Sequence, residues 1–248
     1  MSGHSKWHNI QARKGKQDAK RAGAFTKLAR GITTAAREGG GDPAMNFKLR
    51  IAVDKAKAVS MPKEGIERAI AKGTGAGGGA AMSAVSYEAK GPGNIDIIVD
   101  TLTDNKNRTA SEIKHIFTKN GGIVGAPGSV SWNFVQRGYI VINPNNKAQI
   151  SNQIQNSNDQ EILEIMDIDG VEDVEENEGE INIYTAPKEL AQVVKGLEGK
   201  GFKIEKAELI MDPKNTVKLD EEKSASAMKL LELLDDYDDT ENVWTNLE

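Results

Sequence analysis

The sequence predicts an α plus α+β protein: an N-terminal three-helix domain followed by two ferredoxin-like α/β domains, the first of them discontinuous. Three observations predict this fold class. Residues 1–75 carry three apolar stripes at helical spacing, a glycine-rich segment follows them, and strand-like runs alternate with single helices from Val85 onward. The predicted domains are a basic helical bundle at 1–75, an α/β domain at 76–134 plus 211–248, and an inserted α/β domain at 135–210.

Three amphipathic helices account for the first domain. The first runs from about Gln17 to Glu38 and ends at Gly39 to Gly41, because three glycines favour a helix C-terminus. Asp42-Pro43 is expected to begin the second, with an acidic N-cap before a proline at the first helical position. The third begins near Pro62 and ends at Lys72-Gly73. The apolar faces are Phe25, Leu28, Ala29, Ile32 and Ala36; Leu49, Ala52, Val53 and Ala56; and Ile66, Ala69 and Ile70.

A flexible linker is predicted at GTGAGGGAA, residues 73–81. Its glycines satisfy the pattern G-x-G-x-x-G of phosphate-binding loops. However, the segment follows a helix instead of a strand, and no helix opens after it. The pattern therefore does not indicate a dinucleotide site.

After the linker, the spacing of the apolar residues changes from that of helices to that of strands. NIDIIVDTL is a predicted strand, TDNKNR a polar turn, and Thr109 to Glu112 a capping box that opens a helix to Asn120 before the strand VSWNF. A second set follows YIVINP, with the strands VEDVEE and EINIYTA, a helix at 187–200 and the strand FKIEKAELIM. The Asn/Gln-rich stretch 143–160 has no predicted structure. The final helix and NVWTNL are too short to stand alone, so they are expected to return to the domain that begins at Val85.

Charge is strongly segregated along the chain. The net charge is −5 and the pI near 5.4, yet residues 1–75 hold 16 Lys and Arg against 6 Asp and Glu, while the rest holds 16 against 31. Such asymmetry indicates a basic module for a polyanion on an acidic body. The alternative is a solvated basic face without a partner.

The N-terminal arm and first helix are the predicted nucleic-acid contacts, because phosphate binding needs several cations presented together. Trp7 has two interpretations: it stacks on an exposed base, or it folds back and anchors the arm on the bundle core. No helix-turn-helix pattern is present, and a zinc finger is impossible without cysteine. The predicted contact residues are Lys6, Trp7, Arg13, Lys14, Lys16, Lys20, Arg21, Lys27 and Arg30.

Other chemistry is not indicated. The absence of cysteine excludes disulfides and thiolate metal sites, and the pair His4 and His8 has no third ligand nearby. The acidic run DDYDD, residues 235–239, is interpreted as a solvated helix end. We expect no catalytic residue, no metal, no cofactor and no small-molecule substrate. No apolar run approaches the ~18 residues of a membrane span, and no secretory signal is present, so a cytoplasmic protein without membrane contact is expected.

Several segments resemble the YebC family, which includes the mitochondrial translational activator of cytochrome oxidase. They are GHSKWHNI, FTKL, GGGDP, LTDNKNRTASEIKHIFTKNGG and GSVSWNF, and the resemblance runs from Ser2 to about Arg137. It implies three domains and a non-enzymatic regulator of gene expression. Bacterial members are commonly described as DNA-binding transcriptional regulators, and some resemble ribosome-associated factors that help translation through consecutive prolines. Gly31 and the stretch 143–169 depart from the family pattern.

A second contact loop is predicted in the turn between Thr103 and Thr109. Its polar and basic residues could bind backbone phosphate or ribose at a helix N-terminus, or they could simply form the turn. The glycine-rich loop 120–129 suits close approach to RNA or a large partner, or is a mobile hairpin loop. The predicted contact residues of the turn are Asn105, Lys106, Asn107 and Arg108.

Three functional hypotheses follow. The first is a DNA-binding transcriptional regulator, and the second is a translation factor docked on ribosomal RNA. The third is a protein-interaction scaffold whose basic face is incidental. The predicted partner is thus a nucleic acid, DNA or ribosomal RNA, and the second hypothesis adds the ribosome itself; the sequence makes no prediction of oligomeric state.

Overall fold

Seven α-helices and two four-stranded sheets are formed by the residues that the computed structural model describes, 21–75, 83–142, 157–177 and 180–248. The chain divides into two compact units, Met1–Val135 with Asp212–Glu248, and Gln136–Met211. In chain order the elements are α1 (Arg21–Gly39), α2 (Phe47–Ala58), α3 (Lys63–Gly73), β1 (Ser83–Lys90), β2 (Asp96–Thr103), α4 (Lys106–Lys119), β3 (Ile123–Val124), β4 (Phe134–Ile142), α5 (Ser157–Met166), β5 (Val171–Asn177), β6 (Glu180–Thr185), α6 (Leu190–Gly199), β7 (Ile204–Pro213), α7 (Glu221–Asp235) and β8 (Thr240–Thr245).

The bundle of α1, α2 and α3 buries the predicted apolar faces. Alanines make up half of its buried core residues, which lets the helices approach closely. Gly73, also buried, sits where an added Cβ would meet the Thr33 carbonyl and lie 2.7 Å from the Ala36 Cβ. The core residues are Ile32, Ala35, Ala36, Leu49, Val53, Ala56, Ile66 and Ala69.

The start of α2 differs from the prediction. Asn46, not Asp42, is the N-cap, and its Oδ1 accepts from the Leu49 N–H at 3.1 Å. The Asn46 Nδ2 also donates to the carbonyls of Ala35 and Gly40, at 2.7 and 2.8 Å. An amide both accepts and donates, so Asn46 caps α2 and binds the end of α1 at once, whereas a carboxylate could only accept. Asp42 instead accepts from the Ala44 N–H in the preceding turn.

The first sheet has the strand order β3-β1-β2-β8, with antiparallel pairs throughout. The helices α4 and α7 pack against one face. Because β8 comes from the chain's C-terminus and pairs with β2, this α/β domain is discontinuous, as predicted. Its buried core includes Ile97, Val99, Ile113, Phe117, Leu230, Leu234 and Val243.

The second sheet, in the other unit, has the order β5-β6-β4-β7 and is built from the succession β-α-β-β-α-β. This is the ferredoxin-like arrangement. Tyr139 on β4 and Tyr184 on β6 are buried with their ring centroids 5.3 Å apart. The predicted α plus α+β class is confirmed.

Two predicted stretches lie largely outside the described residues: residues 76–81 of the linker at 73–81, and residues 143–156 of the Asn/Gln-rich stretch at 143–160. The last residues of the latter, from Ser157, belong to α5. Within the described ranges no helix is long and apolar enough to cross a membrane.

Two glycine substitutions test the bundle packing. Gly73→Ala should lower the free energy of unfolding by about 1–3 kcal/mol, because the contact with the backbone of α1 outweighs the gain in helix propensity. Gly31→Ala, on α1 with open space around its Cβ position, should raise it by about 0.4–1 kcal/mol. Urea denaturation of both variants measures the difference. Equal effects would contradict the close α1–α3 packing.

Candidate nucleic-acid interface

Most of the predicted arm lies outside the described residues. This holds for Trp7 and for five of the bases, and Arg21 is described only as the first residue of α1. Phosphate contact by these residues stays a prediction. The five bases are Lys6, Arg13, Lys14, Lys16 and Lys20.

Lys27 and Arg30 make hydrogen bonds to the protein itself. The Lys27 ammonium donates to the Asp235 carbonyl, and the Arg30 guanidinium donates to the Asp238 carbonyl and, at 2.8 Å, to the Asp239 carboxylate. Burial lowers the pKa of Lys27, although the carboxylates around it act in the opposite direction. These two cations therefore bind the segment after α7 instead of standing in solvent for phosphate.

Asp239 is the centre of this contact, and the interpretation of DDYDD as a solvated helix end is wrong at this residue. Its side chain is 4% exposed. Burial alone would raise its pKa, but hydrogen bonds from Thr109, Arg108 and Thr103 hold the pKa below its ordinary value. The donors around the carboxylate are Thr109 Oγ1 at 2.7 Å, Arg30 at 2.8 Å, Thr103 Oγ1 and Arg108 at 3.1 Å, and Tyr237 OH at 3.3 Å.

The predicted second contact loop is the first turn of α4. Asn105, not Thr109, is the N-cap, and its Oδ1 accepts from the Arg108 N–H at 3.1 Å. Thr109 is a buried residue within the helix, and its hydroxyl donates to the Asp239 carboxylate. The capping-box prediction was therefore four residues too late.

The four predicted residues of this loop divide by what they contact. Arg108 donates to the carboxylates of Asp239 and Asp104, to the latter at 2.9 Å. The Asn105 side chain caps the helix. Lys106 and Asn107 are exposed. Of the four, these two retain side chains that could reach a phosphate without breaking an internal contact.

The described bundle also displays exposed bases on α2 and α3. Several form surface pairs with exposed carboxylates, Lys48 with Glu38 at 2.9 Å and Lys63 with Glu67 at 3.7 Å. Such pairs contribute about 0–1 kcal/mol, so phosphates can replace the carboxylates at little cost. The exposed bases are Lys48, Lys57, Lys63, Arg68 and Lys72.

The glycine-rich loop is organised by a residue that sequence analysis missed. Both carboxylate oxygens of Glu88, on β1, accept backbone N–H groups at the end of the loop and just after it, from Gly128 and Val130 at 2.7 Å and from Ser131 at 2.9 Å. Burial would raise the pKa of Glu88, but these bonds lower it below its ordinary value. A lone Glu in a strand gives no local signal of this role.

The protein thus combines a helical bundle that carries exposed bases with α/β domains, and comparisons with known proteins identify its family. A family model described as the TACO1/YebC N-terminal domain matches residues 5–76, and one described as the TACO1/YebC second and third domain matches residues 82–247. The chain belongs to this family.

Relatives are similar over nearly their whole length. A probable transcriptional regulatory protein of Caldanaerobacter subterraneus is 46% identical over all of this chain and 98% of its own, and one of Persephonella marina is 48% identical over all of this chain and 96% of its own. The crystal structure of a conserved hypothetical protein from Aquifex aeolicus, 40% identical, superimposes with a TM-score of 0.82 over 93% of this chain and 91% of that one.

Replacing Asp239 tests its role as the central acceptor. Asp239→Asn keeps the shape but removes the charge that faces Arg30 and Arg108, so the free energy of unfolding should fall by about 1.5–3 kcal/mol. Asp236→Asn, an exposed neighbour, should change it by less than about 0.5 kcal/mol. Urea denaturation at neutral pH measures both, and similar losses would contradict the assignment.

The same carboxylate predicts a pH dependence. Its pKa is lowered on folding, so its stabilisation is complete above the ordinary Asp pKa of about 4 and is lost as the pH falls through the lower folded value. Denaturation midpoints measured from neutral to acidic pH should show this slope in the wild type. In Asp239→Asn that part of the slope should be missing; an unchanged slope would be the contrary result.

Proposed function

We propose that this protein is a non-enzymatic, DNA-binding regulator of transcription. The observation that carries the proposal is the charge segregation: 16 Lys and Arg against 6 Asp and Glu in residues 1–75 of a chain whose net charge is −5. The relatives named above carry the description probable transcriptional regulatory protein, which agrees with this assignment.

Phosphate contacts supply the affinity in the proposed mode. The exposed lysines of α2 and α3, together with the N-terminal arm, neutralise phosphates and release counterions. No groove-reading motif is present in the sequence, so the binding energy is mostly independent of base sequence. The acidic remainder of the chain repels the polyanion, and the bundle therefore supplies the contacts with the nucleic acid.

Lys27 and Arg30 have a supporting role in this mode. Their bonds to the segment 235–239 attach α1, which carries the arm, to the first α/β domain. Phosphate binding by these two side chains would leave Asp239 without its Arg30 partner. We therefore assign the phosphate contacts to the bases before α1 and to those on α2 and α3.

Charge reversal in the arm tests this proposal. Lys16→Glu with Lys20→Glu should weaken binding to a short duplex DNA tenfold or more and reduce the slope of log affinity against log salt by about 2. The matched control is Lys195→Glu with Lys203→Glu, the same charge change at exposed sites in the other unit. Fluorescence anisotropy between about 50 and 200 mM salt measures both slopes. Equal losses in the two variants would indicate only a net-charge effect.

Competition separates DNA from the ribosome as the target. The wild type is sedimented through a sucrose gradient with ribosomes in the presence of excess generic duplex DNA. A DNA-binding regulator should be stripped from the ribosomes by the competitor, because its phosphate contacts are satisfied equally well by the duplex. Co-sedimentation despite the DNA would overturn the transcriptional assignment in favour of a ribosome-associated factor.

A further inference from the structure

An exposed tryptophan stands at the end of the glycine-rich loop. Trp132, in the 3-10 turn Ser131–Asn133, is 60% exposed. Its indole Nε1 donates to the Ser129 carbonyl at 3.1 Å. The only polar group of the ring is thus satisfied inside the protein, so what the ring offers to a partner is its aromatic surface.

The backbone on both sides of Trp132 is held by side-chain hydrogen bonds. On one side Glu88 holds the N–H groups of Val130 and Ser131. On the other side the Asn133 Nδ2 donates to the buried carboxylate of Asp96 at 2.8 Å. An aromatic side chain on a backbone that is held on both sides binds a partner with little loss of conformational entropy.

A cation lies against the backbone of Trp132. The Lys214 ammonium donates to the Trp132 carbonyl at 2.8 Å. The sequence contains no Asp or Glu from Lys119 to Arg137, in a chain that is acidic overall. The nearby carboxylates of Glu88 and Asp96 are engaged, the first by three backbone N–H groups and the second by Lys90 and Asn133.

We propose that Trp132 and Lys214 form a stacking site for an unpaired nucleobase, with Trp132 against the base and Lys214 on the adjacent phosphate. An aromatic face next to a cation is how proteins bind single-stranded nucleic acid without reading its sequence. Bases inside a duplex are stacked on each other, so this site selects single-stranded over double-stranded nucleic acid. The inference rests on the proposed nucleic-acid function and adds a second contact, on the first α/β domain.

Binding of the full chain to labelled single strands of ~12 nucleotides, RNA and DNA of one sequence, and to the duplex DNA tests the site. Trp132→Ala should weaken binding to at least one single strand about 5- to 150-fold and leave duplex binding unchanged. Trp132→Phe should retain most of the affinity, and Lys214→Ala should reduce the salt slope for single strands by about 1. The control is Met45→Ala, which removes another exposed apolar side chain.

The outcomes are distinguishable from those of the proposed function. Wild-type single-strand affinity in Trp132→Ala, with salt-dependent duplex binding intact, would overturn the stacking site and leave the nucleic-acid function standing. If Trp132→Ala loses single-strand and duplex binding equally, or melts at a lower temperature, the residue has a structural role and the stacking site is also overturned. Trp132→Phe then distinguishes loss of the aromatic ring from loss of the fold. Wild-type protein that binds no nucleic acid would overturn both proposals.

Discussion

The carboxylate of Asp239 is the interaction on which the first unit depends. It joins α1 through Arg30, the end of β2 through Thr103, and the first turn of α4 through Arg108 and Thr109. A buried anion is tolerated only when hydrogen-bonded and charge-paired, so these donors must be in place for β8 to begin where it does. This carboxylate thereby joins the helical bundle to the first sheet and to α4.

This contact also divides the basic residues of the bundle into those that bind the protein itself and those that face solvent. Lys27 and Arg30 satisfy carbonyls and a carboxylate of the protein itself, while bases such as Lys63 and Lys72 face solvent. A count of positive charges cannot separate the two groups. The distinction matters for function, because only the second group can exchange its partners for phosphate without loss of internal structure.

A second polar network holds the place where the chain leaves the first unit and returns to it. Asn133 precedes β4 and Asn215 follows β7; the Asn215 N–H donates to the Asn133 Oδ1 at 3.1 Å, and the Asn246 Nδ2 donates to the Asn215 carbonyl at 3.1 Å. Asp96 accepts from Asn133 in the same network. The two chain segments of the first unit that flank residues 136–211 are therefore bonded to each other, and the same bonds position Trp132.

The sequence by itself determined the fold class and the apolar faces of the helices, because hydrophobic periodicity is a local property. The return of the C-terminal strand to the first sheet followed from its being too short to fold alone. The tertiary structure alone decided which partner each polar side chain bonds and which residues cap the helices. Asn46 and Asn105 replaced the predicted caps Asp42 and Thr109, since Asn46 also bonds the end of α1 and Asp239 takes the Thr109 hydroxyl. Lys27 and Asp235 are 208 residues apart, and Glu88 is 42 residues from Val130. No local pattern encodes a hydrogen bond whose partner is brought close only by folding.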